Sequence, residues 1–256
     1  MQHNIKLTIS YDGTRYHGWQ SQKQIENTIQ NRLETMLTRY IGEEISLSAS
    51  GRTDAGVHAL AQVANFHTSQ DVDLEQLRNA FYEYLPQDIV VTDICEVDSR
   101  FHARLSAVSK RYRYRIWNSP QLDVFQRNYV WQLPDLLDVS AMRQAAEYLT
   151  GTHDFLSFCS LKRMKKSSVR TVTDIAITER KIPYGKELLL DFTGNGFLYN
   201  MVRILTGTLV EVGQGKRLPG EMPDILKARK RQAAGMTAPP MGLMLMEVHY
   251  KMPDTP

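Results

Sequence analysis

The residues best suited to chemistry lie in Gly51-Arg52-Thr53-Asp54-Ala55-Gly56-Val57-His58, where a carboxylate and an arginine sit between two glycines. Glycine lets a backbone take positive φ or come close to a ligand. Arg52 and Asp54, two apart, share a side if the chain stays extended. Asp54 is the candidate catalytic group; a solvated turn with an incidental ion pair is the competing description. Two further residues stand out against their surroundings. Arg203 falls inside the apolar run Phe197, Leu198, Met201, Val202, Ile204, Leu205, Leu209, where an unpaired charge is costly. It calls for a carboxylate partner, either a structural one or Asp54. Tyr112 belongs to Lys110-Arg111-Tyr112-Arg113-Tyr114-Arg115-Ile116-Trp117. Period two puts Arg111, Arg113 and Arg115 on a cationic face, and Tyr112, Tyr114 and Ile116 on a face that packs or offers a ring to a base.

The elements that must hold these residues follow from periodicity. Residues 5–10 alternate as a half-buried strand, ending at Tyr11-Asp12-Gly13. Thr14 to Gln22 mixes aromatics, amides and an arginine, a composition equally suited to nucleic acid and to a packed loop. A helix runs from Thr28 to a stop at Gly42, with Ile29, Leu33, Met36 and Leu37 at helical spacing. Strands over 45–50 and 59–68 make the octet their connection. A helix after Asp73 stops at Pro86, and 89–97 is a further strand. The order β-α-β-β-α-β predicts a ferredoxin-like plait in 1–105.

The second half, 106–256, repeats that order with longer loops. It comprises the basic-aromatic strand, a helix from about Ser140 to Leu149, strands around 172–177 and 187–193, a helix after Gly194-Asn195-Gly196, a helix over 224–231 and a last strand over 243–250. The expected fold class is α+β: two ferredoxin-like plaits whose antiparallel sheets abut and form a central cleft.

The net charge of +3 conceals an asymmetry. Residues 1–105 hold 9 Lys+Arg against 14 Asp+Glu, and residues 106–256 hold 22 against 14. A polyanionic partner engaged mainly by the second half is the reading. The segment Lys162, Arg163, Lys165, Lys166, Arg170 has no intervening acid and favours phosphate contact, as do Lys110 and Arg111. Cys95 and Cys159 lie far apart with no metal-ligand spacing, which gives neither a disulfide framework nor a metal site. The dinucleotide pattern is incomplete after Gly194, so no nucleotide cofactor is expected. No export signal or membrane-length apolar run is visible, and a cytoplasmic protein is expected.

Taken together, the motifs resemble the tRNA pseudouridine synthase A family. They are Tyr11-Asp12-Gly13 with Tyr16, Gly18, Trp19 and Gln20; the octet at 51–58; Phe101-His102-Ala103-Arg104 with Lys110 to Tyr114; His153-Asp154-Phe155; Phe197 to Arg203; and Ala238-Pro239-Pro240 with Gly242-Leu243. They come in the family's order and span nearly the whole chain. The resemblance implies an enzyme that isomerises uridine to pseudouridine at positions 38–40 of the tRNA anticodon stem and loop, without a cofactor, as a homodimer with RNA lying across both subunits. By similarity Asp54 is catalytic, Tyr112 packs on the target base, Arg203 pairs with Asp54 and Arg52 helps hold the flipped nucleotide. Ala61 departs from the glycine of many relatives, which touches only the backbone after the octet. A non-catalytic RNA-binding protein and a nucleoside-processing hydrolase are the competing functions; the first gains nothing from a carboxylate beside phosphates, and the second leaves the basic segments unused.

Overall fold

The computed structural model describes residues 2–21, 27–161 and 167–251. In chain order the elements are β1 (His3–Tyr11), α1 (Ile29–Ile41), β2 (Ser48–Ala49), β3 (His58–Thr68), α2 (Leu74–Tyr84), β4 (Ile89–Glu96), β5 (Ala107–Asn118), β6 (Trp131–Leu133), α3 (Val139–Leu149), β7 (Gly151–Asp154), β8 (Val169–Ile182), β9 (Gly185–Gly194), α4 (Met201–Gly213), α5 (Met222–Ala228) and β10 (Leu243–Tyr250). This is a mixed α and β architecture. The chain divides into two compact units, 1–108 with 244–256, and 109–243.

In the first unit the strand order is β4-β1-β3-β2, antiparallel at every one of these pairings, with β10 parallel to β3 on the Met244↔His58 and Leu245↔Ala59 register. That pairing groups β10 with the first unit, whereas division of the sequence at 105/106 puts it with the second. On β1 the alternation buries Ile5, Leu7, Ile9 and Tyr11. Helix α1 begins where Thr28 accepts a hydrogen bond from the Asn31 amide, and it ends at Gly42 with φ 82°. Its buried stripe is Ile29, Leu33, Met36 and Leu37; Leu77, Ala80 and Phe81 do the same for α2. Strand β2 is shorter than the alternation over 45–50 predicts. Two α1 side chains take amides that a ladder would have used: Glu34 accepts from Leu47 N at 2.8 Å and Thr38 from Ile45 N at 3.1 Å. Ile45 and Leu47 are nonetheless buried.

In the second unit β5-β9-β8-β7 is antiparallel throughout, and β6 runs parallel to β5. Helix α4 is buried nearly all round, which explains its apolar sequence. Thr206 and Thr208 survive inside by donating to Val202 O and Ile204 O one turn back. The helix starts at Met201, four residues later than its apolar run, because Asn200 takes φ 61° and breaks the helical path. In the basic run that ends α5, Lys227, Arg229 and Lys230 are exposed and Arg231 is half-buried. Arg229, at φ 49°, leaves the helix and meets Asp154 at 3.0 Å. Arg231 donates to Ala234 O, Gly235 O and Thr237 Oγ1, and burial pulls its pKa below the usual arginine value.

Candidate active site

The octet is held by the chain that follows β1. Gly18 has φ 90°, and a Cβ there would sit 2.7 Å from Thr53 O and 3.1 Å from both Ala55 N and the Asp54 carbonyl carbon. A Cβ on Gly13 would lie 2.0 Å from Val57 O. Only glycine permits so close a backbone approach at both points. Trp19 N then donates to Thr53 O at 3.0 Å, and Gly56 N to Tyr16 O at 3.3 Å. Residues 13–19 thus form a wall that the loop leans on. Within the octet, Val57 N donates to Asp54 O at 3.1 Å, and Gly56 supplies the positive φ, 76°, at the third position of that turn.

Beneath the loop lies a buried polar floor. Tyr11 Oη and Thr53 Oγ1 are 2.7 Å apart; Ser50 Oγ donates to Gln62 Oε1 at 2.7 Å, and Gln62 Nε2 to Gly51 O at 2.9 Å. Burial drives the Tyr11 pKa far above the phenol value, which keeps that hydroxyl neutral. The buried His58 ring accepts the Gly13 amide at Nδ1, 3.1 Å away, with Asp12 Oδ1 also at 3.1 Å. These interactions fix the backbone on both flanks of Asp54. The carboxylate itself is half-buried, and Arg52 is exposed.

The wall is itself anchored. Arg15 Nε and Tyr16 Oη both donate to Asp88, at 2.8 and 2.7 Å. Burial first, and Asp88 second, push the Tyr16 pKa up to about 12. At the other end of the unit, buried Asn65 accepts from Ala103 N and donates to Asn4 Oδ1, both at 2.9 Å, while Tyr250 donates to Ala103 O at 2.7 Å. These bonds fasten Phe101 to Arg104, the passage out of the first unit.

The second unit carries the remaining candidates. On β5 Tyr112 pairs in register with Phe192 and is buried, with Phe197 edge-on at a 5.3 Å ring separation. Tyr114 is fully buried and donates to Pro239 O at 2.7 Å; burial raises its pKa, and the charge of Arg203 opposes the rise. A Cβ on Gly242 would lie 2.6 Å from the Tyr114 ring, so that motif glycine seats a packing residue. Arg203 donates from Nε to Ala238 O at 2.8 Å and from Nη1 to Asn200 Oδ1 at 3.0 Å, which fixes its direction on α4.

The cationic face expected on β5 is largely neutralised. Arg113 makes a two-pronged bond with Asp191, at 2.9 and 2.8 Å, and Arg115 bonds Glu187 at 2.7 Å. Lys110 and Arg111 are half-buried opposite Gly194 and Thr193. Arg170 gives two bonds to backbone, Ser167 O at 2.9 Å and Val169 O at 2.6 Å. Lys162, Arg163, Lys165 and Lys166 lie outside the described residues. Asp54 and Arg52 therefore belong to the first unit, and Tyr112, Arg203, Lys110, Arg111 and Arg170 to the second.

Sequence reasoning missed the floor of Tyr11, Ser50, Thr53 and Gln62. A signal was present: Gln62 and Asn65 interrupt an otherwise apolar strand, and buried amides there need partners. Among the described residues no group of three or more His, Cys, Asp and Glu side chains could hold a metal ion, and no helix is long and apolar enough to cross a membrane.

The tRNA pseudouridine synthase family profile matches residues 7–105 and 145–251. A protein of Acetivibrio thermocellus named tRNA pseudouridine synthase A is 47% identical over 247 residues, 96% of this chain and 99% of the relative. Those of Brevibacillus brevis and Halalkalibacterium halodurans, of the same name, are 47% identical over 246 residues (96% and 99% of the two chains) and 48% over 241 (94% and 90%). Among solved structures, a Cbf5–Nop10–Gar1 complex overlays with TM-score 0.41 and 11% identity over 94% of this chain and 48% of the other, too distant to bear on the fold.

Proposed function

Because this chain belongs to the tRNA pseudouridine synthase family, we propose that it isomerises uridine to pseudouridine at positions 38–40 of the tRNA anticodon stem and loop, with Asp54 as the catalytic carboxylate. The observation that carries the role of Asp54 is the clamped octet: two glycine approaches, a buried polar floor and a tight turn fix its backbone and leave the carboxylate half-buried.

The chemistry breaks the C1′–N1 bond and forms a C1′–C5 bond on the same base; the proton at C5 is lost and N1 gains one. A carboxylate serves as covalent nucleophile or as the base for a sugar proton, and every such route needs it ionised in a site emptied of water. Burial alone raises a carboxyl pKa, and a neighbouring guanidinium offsets this. Arg203 is the residue assigned to that role. The target base must leave its stack, and Tyr112 is assigned to hold it, with Arg52 retaining the extruded nucleotide. This reading calls for two plaits, 1–105 and 106–256, with abutting sheets framing a cleft. It also calls for basic segments, including Lys162 to Arg170, Lys110 and Arg111, along the RNA, a homodimer with RNA across both subunits, a cytoplasmic location and no cofactor.

Unmodified tRNA carrying tritium at uridine C5 tests the reading. The full-length protein should release tritium, and Asp54→Asn should lose at least about 10³-fold in rate while binding tRNA with similar affinity. Release of free uracil would instead mark a hydrolase. Normal turnover by Asp54→Asn would remove Asp54 from the chemistry.

A further inference from the structure

A groove of about 1400 Å³ opens in the first unit, lined in part by Arg15 and Tyr16 of the 13–19 wall. Helix α1 supplies one side through Asn31, Arg32 and Arg39, the face left when Ile29, Leu33 and Leu37 turn inward. Tyr40 and Tyr84 also line it. Residues 1–105 are acidic overall, with 9 Lys+Arg, yet three of those nine line this groove and none of its lining residues among the described residues is a carboxylate. Two acids act on its lining residues: Asp88 on Arg15, and Glu83 on Tyr84. Arg32 gives one bond to Asn27 Oδ1 at 3.2 Å and remains exposed, as does Arg39.

Arg32 and Arg39 are seven residues apart, two helical turns, so their Cα atoms are separated by roughly 10 Å along the axis. That is too far for one phosphate group and suits an extended polyanion. Tyr40 and Tyr84 are 40% and 63% exposed, and such rings are platforms for unpaired bases. We propose that this groove is a second RNA contact, in which Arg32 and Arg39 take the sugar–phosphate backbone and the two tyrosines take a base, away from the uridine being modified. The proposal rests on the isomerase reading for the identity of the RNA. Its geometry ties the two sites together, because Arg15 and Tyr16 line the groove while Gly13, Gly18 and Trp19 of the same segment press on the octet.

The test compares the full-length protein with Arg32→Gln/Arg39→Gln and with a control pair, Arg78→Gln/Arg100→Gln, that removes the same charge from exposed sites outside the groove. Binding of unmodified tRNA is titrated at about 50 to 300 mM KCl, and single-turnover tritium release is measured at saturating tRNA. The groove pair should bind on the order of tenfold more weakly near physiological salt. Its plot of log affinity against log salt should be shallower by about 1.4–1.8, two phosphate contacts' worth, with the saturated rate unchanged. The control pair should stay near wild type. Affinity and slope equal to wild type, or equal losses in both pairs, overturn the proposal. So does loss of self-association with tRNA binding intact, which would assign the groove to a protein partner. Wild-type protein that binds tRNA but releases no tritium would sink the isomerase reading and leave the groove to be judged by its slope; failure of wild type to bind tRNA would end both.

Discussion

Gly18→Ala probes how the 51–58 loop, the proposed home of the catalytic carboxylate, is held. At φ 90° an alanine costs about 1–2 kcal/mol for the left-handed backbone alone. Its Cβ would also meet Thr53 O at 2.7 Å, where ordinary contact begins near 3.4 Å, and the neighbours are backbone atoms that cannot rotate away. The octet must therefore move by several tenths of an ångström. A full 1 Å error in catalytic geometry costs about 10²-fold, so kcat should fall about 10- to 100-fold. Strain and displacement together should remove about 2–4 kcal/mol, or roughly 5–15 °C of Tm at about 2–4 °C per kcal/mol. Gly42→Ala is the internal control: φ is 82°, but nothing lies within 4 Å of the new Cβ. It should lose about 1 kcal/mol and keep wild-type turnover. Thermal unfolding and single-turnover tritium release on both variants decide the matter. If Gly18→Ala loses no more stability than Gly42→Ala and turns over normally, the 13–19 wall does not position Asp54.

Two further predictions concern the supports of these sites. Tyr16 has a folded-state pKa of about 12 against about 10 when unfolded, so its contribution is whole below pH 10 and fades as pH climbs towards 12, by about 2–3 kcal/mol at most. Urea denaturation of Tyr16→Phe should show a flatter alkaline decline than wild type, and parallel curves would contradict the assignment. Glu187 is a buried carboxylate with Arg115 at 2.7 Å and Arg180 only at 3.7 Å. Arg115→Met should cost about 3–5 kcal/mol by chemical denaturation, with much of it recovered in Arg115→Met/Glu187→Leu; equal stability of the single and double variants would refute the buried-charge account.

How far the sequence reveals this molecule depends on the range of the interaction involved. Periodicity and caps are local: Thr28, Gly42 and Asp73 mark helix ends where the structure has them. Period two likewise assigned Tyr114 to a packing face. The same pattern overestimated the cationic face of β5, because Asp191 and Glu187 become partners only once the register with β9 is known. The apolar run makes helix α4 look four residues longer at its start than it is, since Phe197 is apolar for a different reason: it packs on Tyr112. Residue type makes the octet a candidate for chemistry, but does not reveal that Gly13 and Gly18 hold it or that Gln62 donates to Gly51 O within it. Those partners are set by the pairing of β1 with β3, which joins residues about fifty positions apart.

The wall formed by residues 13–19 has a consequence for anyone transplanting this loop. An octet moved alone into another hairpin would carry Asp54 and Arg52 but lose the surface that defines their backbone. The smallest portable unit is discontinuous: residues 11–19 together with 50–62, on two strands already in antiparallel register. In a directed-evolution library, substitutions at Gly13 or Gly18 should behave as substitutions in the loop itself, although neither contributes a side chain to it.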